Sequence, residues 1–159
     1  LAEYKKLHSL GFTGCQKLQD ISAIHGMKNL IWLSCPPGIT QAQFDTLIPS
    51  LPSLQSLELI NCDSLTNINA VKKLDRLKSL TLACSGIKAF SINDLKNLEL
   101  LVIEPDPGEI GKEQLMKLRN QLPSTLVVPG EGFCLGSGWI LVILPFIGMI
   151  LFLYKRFKP

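Results

Sequence analysis

Histidine, tryptophan and tyrosine each occur only twice in this chain, and no two of its five cysteines are spaced as C-x-x-C. Each scarcity removes a class of chemistry. His8 and His25 have no aspartate or nucleophile at a recognisable spacing, so neither can be built into a familiar acid–base or nucleophilic arrangement. Without close cysteine pairs there is no zinc-ligand pattern. A phosphate-cradling loop is also missing, because the one glycine-rich stretch, Gly132, Gly136 and Gly138, runs directly into an apolar segment. Asp106 and Glu109 flank prolines and read as solvated turn residues rather than as a catalytic pair. The net charge is +3, with basic and acidic residues interspersed, so no single-sign field of the kind used to hold nucleic acid builds up. The sequence is therefore read as that of a non-enzyme with no cofactor, no metal site, no small-molecule substrate and no nucleic-acid partner.

What the chain has in excess is leucine, 29 residues of 159, a bias that points to a repeated packing position. Ser9-Leu10-Gly11-Phe12-Thr13-Gly14-Cys15-Gln16-Lys17-Leu18 aligns with Ser56-Leu57-Glu58-Leu59-Ile60-Asn61-Cys62-Asp63-Ser64-Leu65. The match continues without a gap, placing Ile21, Ile24, Met27, Leu30 and Leu33 on Ile68, Val71, Leu74, Leu77 and Leu80. The equivalent leucines Leu10, Leu33, Leu57, Leu80 and Leu101 are 23, 24, 23 and 21 residues apart. A period of two within Leu57-x-Leu59 marks a short strand, and steps of three from Ile68 to Leu77 mark a helical or 3₁₀ return. A helix over Lys112 to Gln121 and a last strand at Leu126-Val127-Val128 are expected to close the series.

Leu54-x-x-Leu57-x-Leu59-x-x-Cys62-x-x-Leu65 and its copies resemble the leucine-rich repeat family over residues 1–128. The resemblance implies an α/β solenoid of about five to six repeats, with parallel strands on a concave face and helices or 3₁₀ turns on a convex one. Gly38 and Ser85 depart from the pattern by standing where Cys15 and Cys62 stand, and Pro105 and Pro107 follow Leu101, so irregular turns are expected there. Leu1, Tyr4 and Leu7 share the phase of Ile24, Met27 and Leu30. The chain thus enters in mid-repeat, and the natural protein is expected to extend upstream, where any signal peptide would lie.

The resemblance also implies a protein-binding surface on the concave face, at strand positions flanking the inward leucines. These are Trp32, Ser34, Ser56, Glu58, Ile60, Ser79, Thr81, Leu100, Val102 and Glu104, with Trp32, Ile60, Leu100 and Val102 as its apolar centre and Glu58 and Glu104 as its rim. The alternative is that these residues pack against a flanking segment. Cys15 and Cys62 read as small residues buried in the bend after a strand. Strands stack roughly 4.8 Å apart, which puts these two cysteines about 10 Å from each other. A disulfide between them would need Cα atoms within about 7 Å. Cys35 falls on a core position, Cys84 aligns with Asn61, and Cys134 lies where acylation is possible but an inert thiol is the plainer reading.

After a linker at 129–134, residues 135–154 carry no charge over 20 positions, a length that spans roughly 30 Å of hydrocarbon as a helix. This segment is read as a single transmembrane helix, with Trp139 and Tyr154 near its ends and Pro145 and Gly148 as a kink or helix-contact pair. The tail at 155–159 carries Lys155, Arg156 and Lys158, which favours a cytoplasmic tail and a solenoid on the other side. A tail anchor, with the solenoid in the cytosol, is the competing topology. The glycines, span and basic end are also similar to bacterial C-terminal sorting tails. Leu126, however, stands where the glycine after Leu122-Pro123-Ser124-Thr125 would be needed, so a retained anchor is the preferred reading.

Three functions fit these observations. The leading one is a structural or accessory subunit of an integral membrane complex, a scaffold for protein–protein interaction in contact with lipid. The others are a surface receptor or adhesion protein for an external ligand and a cytosolic tail-anchored adaptor.

Overall fold

The computed structural model of the chain describes residues 6–85, 87, 95, 97–103 and 112–130, with side chains in the segment 112–121 from 115 onward. The elements run β1 (Ser9–Gly11), β2 (Trp32–Ser34), α1 (Gln41–Leu47), β3 (Ser56–Ile60), β4 (Ser79–Ala83), β5 (Leu100–Ile103), α2 (Lys112–Gln121) and β6 (Leu126–Pro129). Short 3₁₀ turns lie at Ser22–Ile24, Ile48–Ser50 and Asn69–Lys73. All six strands form one parallel sheet in the order of the sequence. The helix and the last strand expected from the sequence are both present.

Alternation along each strand decides which side is core. In β3 and β4 every second residue is buried and the residues between are half-buried, because successive side chains leave a strand on opposite faces. The equivalent leucines lie side by side in register: Leu10 against Leu33, Leu33 against Leu57, Leu57 against Leu80, Leu80 against Leu101, and Leu101 against Val127. Behind this row pack the residues that step by three, Ile21, Ile24, Met27 and Leu30 from one return and Ile68, Val71, Leu74 and Leu77 from another.

The second return, between β2 and β3, contains α1. Thr40 caps α1 by accepting from the Gln43 amide, while the Gln43 side chain accepts from the Thr40 backbone. Pro49 ends it by entering the following 3₁₀ turn. The two glutamines of the first turn also tie α1 to both neighbours. Gln43 donates to the Gln19 carbonyl, and the Gln41 amide donates to Asn67 O and accepts from the Thr66 and Asn67 backbone. Side-chain amides thus satisfy backbone groups that the return segments would otherwise leave to water.

The two ends of the sheet differ. Val127 presents its carbonyl away from the sheet, and the Arg119 guanidinium takes it at 3.1 and 3.3 Å. Pro129 has no N–H to offer the same edge. At the other end Leu10 is only half-covered, whereas Leu33, Leu57, Leu80 and Leu101 are fully buried. Among the described residues the outward backbone groups of Ser9 and Gly11 have no partner. Among the described residues the β6 edge is therefore shielded and the β1 edge is uncovered.

One expectation about the bends needs revision. Cys62 is buried as expected, its thiol reaching Pro36 O of the preceding turn at 3.7 Å. Cys15 is exposed, because no described turn lies on its outer side to cover it. The bend column does repeat in the backbone, since Gly14 (φ 83°) and its equivalent Asn61 (φ 55°) both adopt the left-handed conformation. Cys84, aligned with Asn61, does not, so the turn at Ser85 departs from the pattern as expected.

Among the described residues no helix is long and apolar enough to cross a membrane. The apolar segment 135–154 lies outside the described residues, as do Pro145 and Gly148 within it, Cys134, Pro105 and Pro107, and the basic tail.

Candidate functional site

The sheet face opposite the core is built from strand positions that the alternation turns outward. Strand register orders them into rows. One row runs Ser9, Trp32, Ser56, Ser79, Leu100, Leu126, and the next runs Gly11, Ser34, Glu58, Thr81, Val102, Val128. Ile60 and Ala83 pair beyond them on β3 and β4. Nine of the expected surface residues, Trp32 through Val102, thus lie on one face. The tenth, Glu104, lies outside the described residues.

Register also separates what the sequence treats as one apolar centre. Trp32 and Leu100 are three strands apart in the same row, about 14 Å at the usual strand spacing, and Ser56 and Ser79 fill the interval. The face therefore has an aromatic end, a serine lane and an aliphatic end. Leu100, Val102 and Val128 are half-buried at the aliphatic end, and Leu126 beside them is 65% exposed. The sequence pattern marks the last strand without fixing its outward side, so Leu126 and Val128 emerge as part of this end only from the register.

Trp32 does not project freely. Its Nε1–H donates to Glu58 Oε1 at 3.2 Å, and a Cβ added to Gly11 would sit 2.9 Å from its Cη2 atom. Gly11 and Glu58 flank Ser34 on either side, so an indole that reaches both lies across Ser34. This explains why Ser34 is completely buried, and it removes Ser34 from the accessible surface where the sequence placed it. The Ser34 hydroxyl is satisfied under the ring by Thr13 Oγ1 at 2.9 Å. Gly11 is thus required for close approach of the ring rather than for backbone freedom. Gly11→Val is expected to displace the indole, which a red-shifted Trp32 emission in a Trp139→Phe background would register.

At the opposite rim, where strands begin, Gln55, Asp75, Arg76, Lys78, Asn97, Glu99 and Ser124 line an open cleft of about 620 Å³. Lys78 pairs with Glu99 at 2.8 Å and Asn97 donates to Asp75 O. The Lys78–Glu99 pair is more than half exposed on both sides, so it contributes little.

The third chemical feature is a group of thiols at the strand ends. Cys35 is buried in the core, and that burial pushes its thiol up to about 12. The Cys62 thiol donates to Ile60 O at 3.6 Å and the Cys84 thiol to Leu59 O at 3.1 Å, and the two lie close enough to bias each other's protonation. The interaction between them raises the Cys62 thiol, with burial adding to the effect, and lowers Cys84. Among the described residues no three His, Cys, Asp or Glu side chains are arranged to hold a metal ion. His8 and His25 are both exposed, and neither side chain has a described partner.

No protein-family model matches the chain, and no curated protein matches it.

Proposed function

We propose that the chain is a leucine-rich repeat solenoid, anchored in a membrane by the span at 135–154, that works by binding protein on the sheet face opposite its core. Trp32 carries this reading. A large aromatic ring is held in one orientation over Ser34 by Glu58 and Gly11, on a face otherwise free of covering elements among the described residues. An aromatic group already fixed before association loses little conformational entropy on binding, which is why such rings serve as anchors. The aliphatic end at Leu100, Val102, Leu126 and Val128 supplies a second contact. The serine lane between them suits a partner that crosses the strands and touches both ends.

Within that reading, the function supported best is an accessory or assembly subunit of an integral membrane complex. The span contributes helix contacts around Pro145 and Gly148, and the solenoid docks on an exposed part of the same assembly. Mild detergent extraction followed by native electrophoresis and mass spectrometry tests this. A stoichiometric complex is the expected result, and recovery of the chain alone would leave the receptor and adaptor readings in its place.

Topology is proposed from the basic tail, with the solenoid on the non-cytoplasmic side. In intact cells, with native cysteines replaced, E131C should react with a membrane-impermeant maleimide and K158C should not. The reverse labelling pattern would establish the tail-anchored arrangement.

A further inference from the structure

The bends after β3 and β4 are stitched together residue by residue. Asn61 N–H donates to Ala83 O at 2.8 Å. Two residues on, the Asp63 carboxylate accepts from the Ser85 amide at 3.0 Å and from its hydroxyl at 2.7 Å. Cys62 and Cys84 lie between these two links. Their sulfurs sit beside consecutive carbonyls of the same strand end, Cys84 Sγ 3.1 Å from Leu59 O and Cys62 Sγ 3.6 Å from Ile60 O. Continuing the β3–β4 register past Ile60 and Ala83 sets Cys84 beside Asn61, with Cys62 one residue further along. A strand spacing of about 4.8 Å and a rise of about 3.3 Å then separate the two Cα atoms by roughly 6 Å, inside the range of about 4.4 to 6.8 Å that a disulfide accepts.

We propose that Cys62 and Cys84 form a redox-active dithiol that a small-molecule disulfide of the glutathione class converts into an intramolecular disulfide clamping β3 to β4. Cys84 is the attacking group. It is the more exposed of the two, so the oxidant reaches its sulfur first, and the neighbouring Cys62 favours its thiolate once the proton it donates to Leu59 O is released. Its sulfur attacks one sulfur of the oxidant, forming a mixed disulfide and releasing one thiolate, which takes up the proton Cys84 gave. Cys62 then loses its proton and attacks Cys84 Sγ, displacing the second thiolate, which is protonated in turn. Two protein thiols are oxidised to one disulfide, and one oxidant disulfide is reduced to two thiols. Cys35, fully buried and with a raised thiol, takes no part. The clamp would close directly behind Ile60 and Ala83, at the end of the outward face.

The test uses the full chain with Cys15 and Cys134 replaced by serine. It is incubated folded with oxidised glutathione, blocked with a maleimide, and digested without reductant by trypsin plus a Glu-specific protease, which separates Cys35 from Cys62 at Glu58. Mass spectrometry should find a Cys62–Cys84 cross-linked peptide pair, with Cys35 carrying the maleimide label only after unfolding. C62S should stop the reaction at a stable glutathione adduct on Cys84, and C84S should leave Cys62 unmodified over the same time. A folded chain that forms no Cys62–Cys84 link, or that joins Cys35 instead, overturns the proposal. So does an adduct on Cys62 in C84S that forms as fast as the one on Cys84 in C62S. The cross-link readout uses intact Cys62 and Cys84, so it stands even if either serine variant folds poorly.

Discussion

Truncating Leu57 or Leu80 to alanine is expected to destabilise the fold by about 2 to 5 kcal/mol, and either change alone can unfold much of the population. Both side chains are fully buried in the middle of the strand row, Leu57 between Leu33 and Leu80 and Leu80 between Leu57 and Leu101. The lost contacts therefore face neighbours on both sides, and backbone hydrogen bonding on both edges keeps the sheet from collapsing into the gap. Leu10→Ala is the internal control. Leu10 occupies the same column but is only half-buried at the β1 edge, so its truncation removes less burial and leaves no enclosed void. Denaturant unfolding of the full chain followed by circular dichroism should put the midpoints in the order wild type, Leu10→Ala, then Leu57→Ala and Leu80→Ala, at similar slope. Equal losses at all three positions would mean that the β1 edge is covered by something absent from the described residues.

How much of this could be read from the sequence depends on what each residue's neighbours contribute. The leucine column was legible because a spacing of 21 to 24 residues repeats in phase, and a parallel sheet in sequence order places such residues in register. Helix α2 and strand β6 were legible from local pattern alone. Helix α1 was less so, although the pair Thr40 and Gln43 is a capping signature that marks its start. Cys15 and Cys62 share a column by alignment yet differ in burial, since burial depends on whether another turn stacks outside. Ser34 looked like a surface residue by strand parity, and only the glycine at position 11, one strand away, lets the Trp32 ring fold over it. The Cys62–Cys84 pair was hidden because comparing like columns sets Cys62 against Cys15, two repeats away. The contact arises between unlike columns, where the turn after β4 departs from the one after β3.

Replacing Trp32 by alanine together with Ile60 by serine is expected to weaken partner association by roughly thirtyfold or more, the effect of losing about 2 kcal/mol at an aromatic anchor. Both residues are on the face opposite the core, and both are half-buried. Trp32 also roofs Ser34, so its removal opens the Ser34–Thr13 hydrogen bond to water and frees Glu58 from the indole N–H. Solvent can satisfy all three polar groups once the ring is gone, which limits the cost to the fold to about 1 kcal/mol. The measurement pairs thermal melting with co-purification of the partner complex, using Trp32→Phe as a variant that keeps most of the ring and loses only the Glu58 bond. A near-normal melting temperature with lost co-purification in the double variant, and partial retention in Trp32→Phe, is the expected pattern. If the double variant melts early and association falls only with the unfolded fraction, the indole is a structural roof and not an anchor. If melting and association are both unchanged, contact must lie at the aliphatic end. Leu100→Ser with Val102→Ser, three strands away from Trp32, then becomes the variant expected to release the partner.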